Sequence, residues 1–110
     1  PEYMALFDIF PSAKSLIDTG HAHVNGWDIP AVVQSLGERL AACHVHDNDA
    51  TADAHLPIGQ GTIEWDKYFA AVKEYAPQAT QVFEYCCGFK NTAEVEAHIA
   101  KIKKTYQLAE

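Results

Sequence analysis

Residues 42–61 read Ala-Cys-His-Val-His-Asp-Asn-Asp-Ala-Thr-Ala-Asp-Ala-His-Leu-Pro-Ile-Gly-Gln-Gly, and the fold follows from how this stretch begins. The apolar run Leu40-Ala41-Ala42-Cys43 leads directly into His44-Val45-His46-Asp47, so a buried strand ends in two imidazoles and a carboxylate. Alternation along a strand puts Ala42, His44 and His46 on one face and Cys43 and Val45 on the other. A polar loop then carries Asp53 and His55 and closes on Gly59 and Gly61. Imidazoles flanked by carboxylates suit a divalent cation, so this stretch reads as one wall of a metal site.

Outward from it, the pattern repeats. Upstream, Ser15-Leu16-Ile17 is a short strand candidate ending at Asp18. Downstream, Gln81-Val82-Phe83-Glu84-Tyr85 is a third. Helical spacing separates them. Tyr3, Leu6, Phe7 and Phe10 form a first helix, stopped by Pro11. Thr19 to His23 leads into a loop turned by Asn25-Gly26. Asp28 is the N-cap of the next helix, with Pro30 in its first turn and a stripe of Ile29, Val32, Val33, Leu36 and Leu40. Trp65, Tyr68, Phe69, Val72 and Tyr75 mark another helix. Asn91 and Glu94 open the last one in the manner of a capping box, with Val95, Ile99, Ile102 and Tyr106 inward. Lys101, Lys103 and Lys104 form a solvated face near its end.

A helix followed by strand–helix three times over implies an α/β fold of parallel (βα) units. In such folds the chemistry gathers at the C-terminal ends of the strands. Each strand here ends in a ligand type: Asp18, His44, Glu84. Two carboxylates and an imidazole make a mixed O/N set for Mn²⁺, Zn²⁺, Co²⁺ or Mg²⁺. Taken singly, Asp18 reads as well as a helix cap, His44 as a hydrogen-bonded core histidine and Glu84 as a surface acid. His21, Asp53 and His55 form a possible second metal or substrate-binding cluster, with His46 placed to orient a ligand. His23 and His98 read as surface residues, and Cys86-Cys87 as small buried hydrophobes.

The totals bound the rest. The 110 residues suffice for one segment, 1–110, and their 48% hydrophobic and 21% charged content is ordinary for a globular chain. A net charge of −7 makes a nucleic-acid surface unlike this one. Three cysteines with no CxxC spacing indicate neither a disulfide framework nor a zinc finger, which points to the cytoplasm. No apolar run nears the roughly 18 residues needed to span a bilayer, so no membrane partner is expected. A start at Pro1 that is at once helical hints at a piece of a longer chain.

Together the motifs Asp18-Thr-Gly-His21, His44-Val-His46-Asp47-Asn48, Asp53-Ala-His55-Leu-Pro-Ile-Gly59-Gln-Gly61 and the strand-ending Glu84 resemble the xylose isomerase-like TIM barrel superfamily. This group of sugar phosphate isomerases and epimerases also contains endonuclease IV. The resemblance runs the length of the chain, as the C-terminal portion of such a barrel, about strands 6–8 with flanking helices. It implies that Asp18, His44 and Glu84 are three of four metal ligands and that Glu84 is also a catalytic, proton-transferring carboxylate. The fourth ligand, a glutamate ending strand 5, has no counterpart here. The expected activity is divalent-metal-dependent isomerisation or epimerisation of a sugar or sugar phosphate. The alternatives are a zinc phosphodiesterase like endonuclease IV, in which the equivalents of His21, Asp53 and His55 hold an additional zinc, and a non-catalytic metal-binding fragment. Three strands cannot close a barrel that uses eight. Self-association through open strand edges, or a missing N-terminal barrel segment, is therefore expected.

Overall fold

The structure, a computed structural model, describes residues 2–108. Its elements are α1 (Glu2–Ile9), β1 (Ser15–Asp18), α2 (Thr19–Val24), α3 (Ile29–Leu36), a 3₁₀ turn (Gly37–Arg39), β2 (Leu40–Val45), α4 (Trp65–Tyr75), β3 (Thr80–Phe83) and α5 (Thr92–Tyr106). The three strands form one parallel sheet in the order β1-β2-β3. It is the α/β arrangement that the sequence predicts. Among the described residues no helix is long and apolar enough to cross a membrane.

The helix signals act as their chemistry requires. Asp28 caps α3 by accepting the Ala31 N–H at 3.1 Å, with Pro30 at the start where a missing N–H costs nothing. Asn91 caps α5 by accepting the Glu94 N–H at 3.0 Å. Glu94 reaches back to the N–H of Lys90 at 2.7 Å, so the box closes one residue upstream of the cap. Of the first helix's apolar set, Leu6 and Phe10 are exposed and Phe7 packs on the core. The side chain of Tyr3 lies outside what is described.

Three local details add to or change the sequence reading. Thr19–Val24, which the sequence pattern assigns to no element, is a short helix, because Asp18 accepts the His21 N–H at 2.9 Å and nucleates a turn. The third strand runs from Thr80 to Phe83, one residue earlier at its start and two at its end than the apolar pattern suggests. Cys86 and Cys87 are exposed, not buried. The strand has already ended, and the chain turns outward through Gly88 at φ +94.

The sheet has two unlike faces. Ile17, Cys43 and Val45 point to the helices and are buried with Val33, Leu36, Leu40, Tyr68, Phe69 and Val72 in one core. The register Asp18↔His44↔Val82 puts Leu16, Asp18, Ala42, His44 and Val82 on the opposite face. That face is open: Leu16 is 49% and Val82 40% exposed.

Candidate metal centre

Parallel register carries Asp18 and His44 to the same level, and Glu84 continues just past β3, where its N–H donates to Val45 O at 3.0 Å. The three side chains converge. Nδ1 of His44 lies 3.3 Å from Glu84 Oε2 and 3.9 Å from Asp18 Oδ2, and one ligand atom from each falls within 4.8 Å of the others. All three are partly exposed, so a small ligand can reach them. Asp18 both caps α2 and joins this cluster, one carboxylate oxygen serving each purpose.

A second group adjoins the first. Asp53 Oδ2 lies 3.0 Å from His21 Nε2 and 3.3 Å from His55 Nε2. His55 sits at φ +50, a left-handed conformation uncommon for a residue with a side chain. It is fixed there by two hydrogen bonds, from its Nδ1 to Glu84 O (3.0 Å) and from the Cys86 N–H to its own carbonyl (2.9 Å). His46 lies between the groups. Its ring is fully buried, stacks on His55 at 3.8 Å with 5° between planes, and fills the space beside Gly20, where a Cβ would overlap it. Its Nε2 stands 2.9 Å from Asp18 Oδ1 and its Nδ1 3.8 Å from Asp53 Oδ1. Among the described residues neither nitrogen meets the geometry of a hydrogen bond.

The electrostatics follow from these contacts. Burial raises the Asp18 carboxyl, but the His21 N–H and the nearby His46 and His21 rings outweigh it and hold it below the usual carboxylate value. Burial lowers His55, but the bond to the Glu84 carbonyl and the charges of Asp53 and Asp18 leave it raised. Two further groups of suitable spacing overlap the first: His46, His55, Glu84 and Asp18, His46, Asp53. An oxygen-and-imidazole donor set, with a buried ring whose two nitrogens face the Asp18 and Asp53 carboxylates, fits a divalent cation.

The supporting residues include several that local sequence patterns do not reveal. Thr19 donates its hydroxyl to His46 O at 2.8 Å and accepts the His46 N–H at 3.1 Å, pinning α2 to the end of β2. Asn48 donates to Gly20 O at 3.0 Å. Asp47 organises the whole loop. Its Oδ2 accepts the N–H groups of Gly59 and Gly61 and the indole of Trp65; its Oδ1 accepts those of Asn48 and Ile63. Buried polar residues just beyond a strand end were the available signal. Histidines 23 and 98, read as surface residues, both have partners: His23 Nε2 lies 2.8 Å from Thr62 Oγ1 and His98 Nε2 2.9 Å from the Tyr85 hydroxyl.

A search of curated proteins returned no sequence match. Among solved structures the chain is similar to a D-tagatose 3-epimerase-like protein, with 26% identity and a TM-score of 0.66 over 93% of this chain. The match covers 39% of that protein's length. The model of the xylose isomerase-like TIM barrel family matches residues 1–109. With parallel βα units and polar groups gathered at the strand ends as well, the chain belongs to the xylose isomerase-like TIM barrel family.

Proposed function

We propose that these residues form the metal-holding wall, and one of the two proton-transferring sides, of a divalent-metal-dependent isomerase or epimerase acting on a sugar or sugar phosphate. The observation that carries this reading is the convergence of Asp18, His44 and Glu84 from three strand ends. Likeness to an epimerase-like protein supports it. Asp18, His44 and Glu84 would hold the ion, Mn²⁺, Zn²⁺, Co²⁺ or Mg²⁺, which when bound supplies Lewis-acid polarisation of a substrate carbonyl.

The chain's own groups do the rest. Glu84 takes a proton from the carbon beside the carbonyl, as a positioned carboxylate does, and its backbone is held in place by bonds to Val45 and His55. Proton return on the opposite face needs a second group. We assign that group to a barrel segment beyond these residues, in keeping with coverage of 39% of the similar structure. Such a segment, or a second copy of this chain, would also cover Leu16 and Val82. The compartment we assign is the cytoplasm, on its three free thiols.

The approach of His21 and His55 to Asp53 favours a second reading, a zinc phosphodiesterase, against which the charge of −7 weighs. One experiment separates them. The Mn²⁺-loaded protein, with whatever completes its barrel, is incubated with ketohexoses in D₂O and followed by NMR. Deuterium should enter at the carbon beside the carbonyl, and Glu84→Gln should slow this by roughly 10²–10⁴-fold. No exchange with any ketose, together with cleavage of abasic DNA by the Zn²⁺ form, would overturn the isomerase reading in favour of the second.

A further inference from the structure

Beside the metal centre lies a pair of groups that the proposed reaction does not use. Cys86 and Cys87 are adjacent, exposed and free, with their sulfurs 2.6 Å apart. The pair is tied to the site loop at two points. The Cys86 thiol donates to Ala54 O at 3.3 Å and its backbone N–H to His55 O at 2.9 Å. Ala54 lies between Asp53 and His55, so both ties hold the segment that presents those side chains. His55 returns the contact through Nδ1 to Glu84 O, two residues before the pair.

We infer that Cys86-Cys87 is an oxidation site, at which a hydroperoxide converts the two thiols into a vicinal disulfide and thereby loosens the hold on His55. The chemistry balances in two steps. One thiol attacks a peroxide oxygen; the O–O bond breaks, the thiol becomes a sulfenic acid, and its proton leaves with the departing oxygen as water or an alcohol. The neighbouring thiol then attacks that sulfur and expels its oxygen as water, forming the S–S bond. Two thiols are oxidised by two electrons and one peroxide is reduced.

Oxidation removes the Cys86 S–H, so the hydrogen bond to Ala54 O is necessarily lost. Closing the ring also strains it. Adjacent Cα atoms are held about 3.8 Å apart, below the roughly 4.4–6.8 Å usual for a disulfide. A strained, exposed disulfide is easily reduced, which suits a reversible mark in a reducing compartment. Cys43 is buried in the core and provides an internal control.

The test treats the protein with hydrogen peroxide and maps its tryptic peptides. The peptide from Glu74 to Lys90 contains Cys86 and Cys87 and no other cysteine. It should lose two hydrogens, about 2 Da, resist alkylation, and recover both thiols on dithiothreitol treatment. Cys43 should stay unchanged. Cys87→Ser should end instead at sulfenic or sulfinic acid on Cys86. Gain of oxygen without loss of hydrogen in the parent peptide, or a bond to a second molecule, would overturn the inference. The coupling is read separately from the ¹H–¹⁵N resonances of the His55 ring, identified by their loss in His55→Gln. They should shift on oxidation and return on reduction. A disulfide that leaves them unmoved would overturn the link to His55.

Discussion

Asp47 and the cluster of Asp18, His44 and Glu84 lie within a few residues of the same strand ends, yet they are built in opposite ways. Asp47 is fully buried and accepts five hydrogen bonds, four from backbone N–H groups and one from Trp65. The three clustered side chains are partly exposed and face one another, and the buried His46 ring behind them lies against the Asp18 and Asp53 carboxylates without a well-formed hydrogen bond among the described residues. A carboxylate that serves the fold is surrounded by donors. Carboxylates and imidazoles that face one another pair directly when a ring is protonated, and when the rings are neutral the same donor set suits a shared cation.

The largest expected effect is at the satisfied carboxylate. Asp47→Ala leaves five donors without their acceptor around a buried hole, and should destabilise the protein by on the order of 4 kcal/mol or more. Asp47→Asn keeps the shape but turns one acceptor atom into a donor that faces N–H groups, so it should restore only part of the loss. Urea denaturation of both variants measures this. A near-neutral Asp47→Ala would show that the loop does not depend on Asp47 and would erase the contrast.

Next in size is the packing between the two regions. A Cβ on Gly20 would overlap the His46 ring at Cε1 and Nδ1, and that ring is buried and stacked on His55, so it has little room to shift. Gly20→Ala should cost about 1–3 kcal/mol and displace His46 from Asp18. Gly20→Ala in a His46→Ala background should recover stability, because the obstruction is gone; a double-mutant cycle reads the coupling.

What the sequence makes legible, and what it does not, divides along the same line. Strand alternation and parallel order are local or nearly so, and they suffice to bring Asp18 and His44 to one level, with Glu84 on the same face two residues past Val82, which pairs with His44. The acceptor role of Asp47 depends on Gly59, Gly61, Ile63 and Trp65, up to 18 residues away, and no periodicity reports such a loop. The same holds for Thr19 and Asn48, whose bonds span 27 and 28 residues. Helix α2 is hard to read in the sequence because a Gly in a six-residue stretch masks the propensity, although Asp18 carries the capping signal. Cys86 and Cys87 look buried from composition alone; where the strand stops decides otherwise.

A smaller effect is expected at the open cluster. His44→Ala removes one donor from a partly exposed group and leaves the buried loop untouched. It should weaken Mn²⁺ or Zn²⁺ binding by about 10-fold or more, with little change in the stability of the metal-free protein. Isothermal titration and thermal melts in chelator measure the two quantities. Unchanged metal affinity would remove His44 from the proposed ligand set, and a large loss of metal-free stability would make it a structural histidine like those hydrogen-bonded in other cores.

The smallest effect concerns protons, and its sign distinguishes the roles of His55. Because the folded protein raises the affinity of His55 for a proton, its protonated form contributes stability. That contribution is fully present below the ordinary histidine value near 6.5 and is lost as the pH rises through the higher folded value. In chelator, the stability gap between the parent and His55→Gln should therefore shrink between about pH 6 and pH 8. The ring is one-third exposed, so salt should reduce the gap as well. An ion held by Asp53, His21 and His55 would reverse the trend, since imidazole binds metal only when neutral. Added Zn²⁺ should then stabilise the parent more at the higher pH, and His55→Gln should lose that gain. Melting curves at the two pH values, with and without Zn²⁺, decide between them: a gap that falls with pH in chelator and grows with pH in Zn²⁺ makes His55 a ligand, and one that falls in both leaves it to the loop.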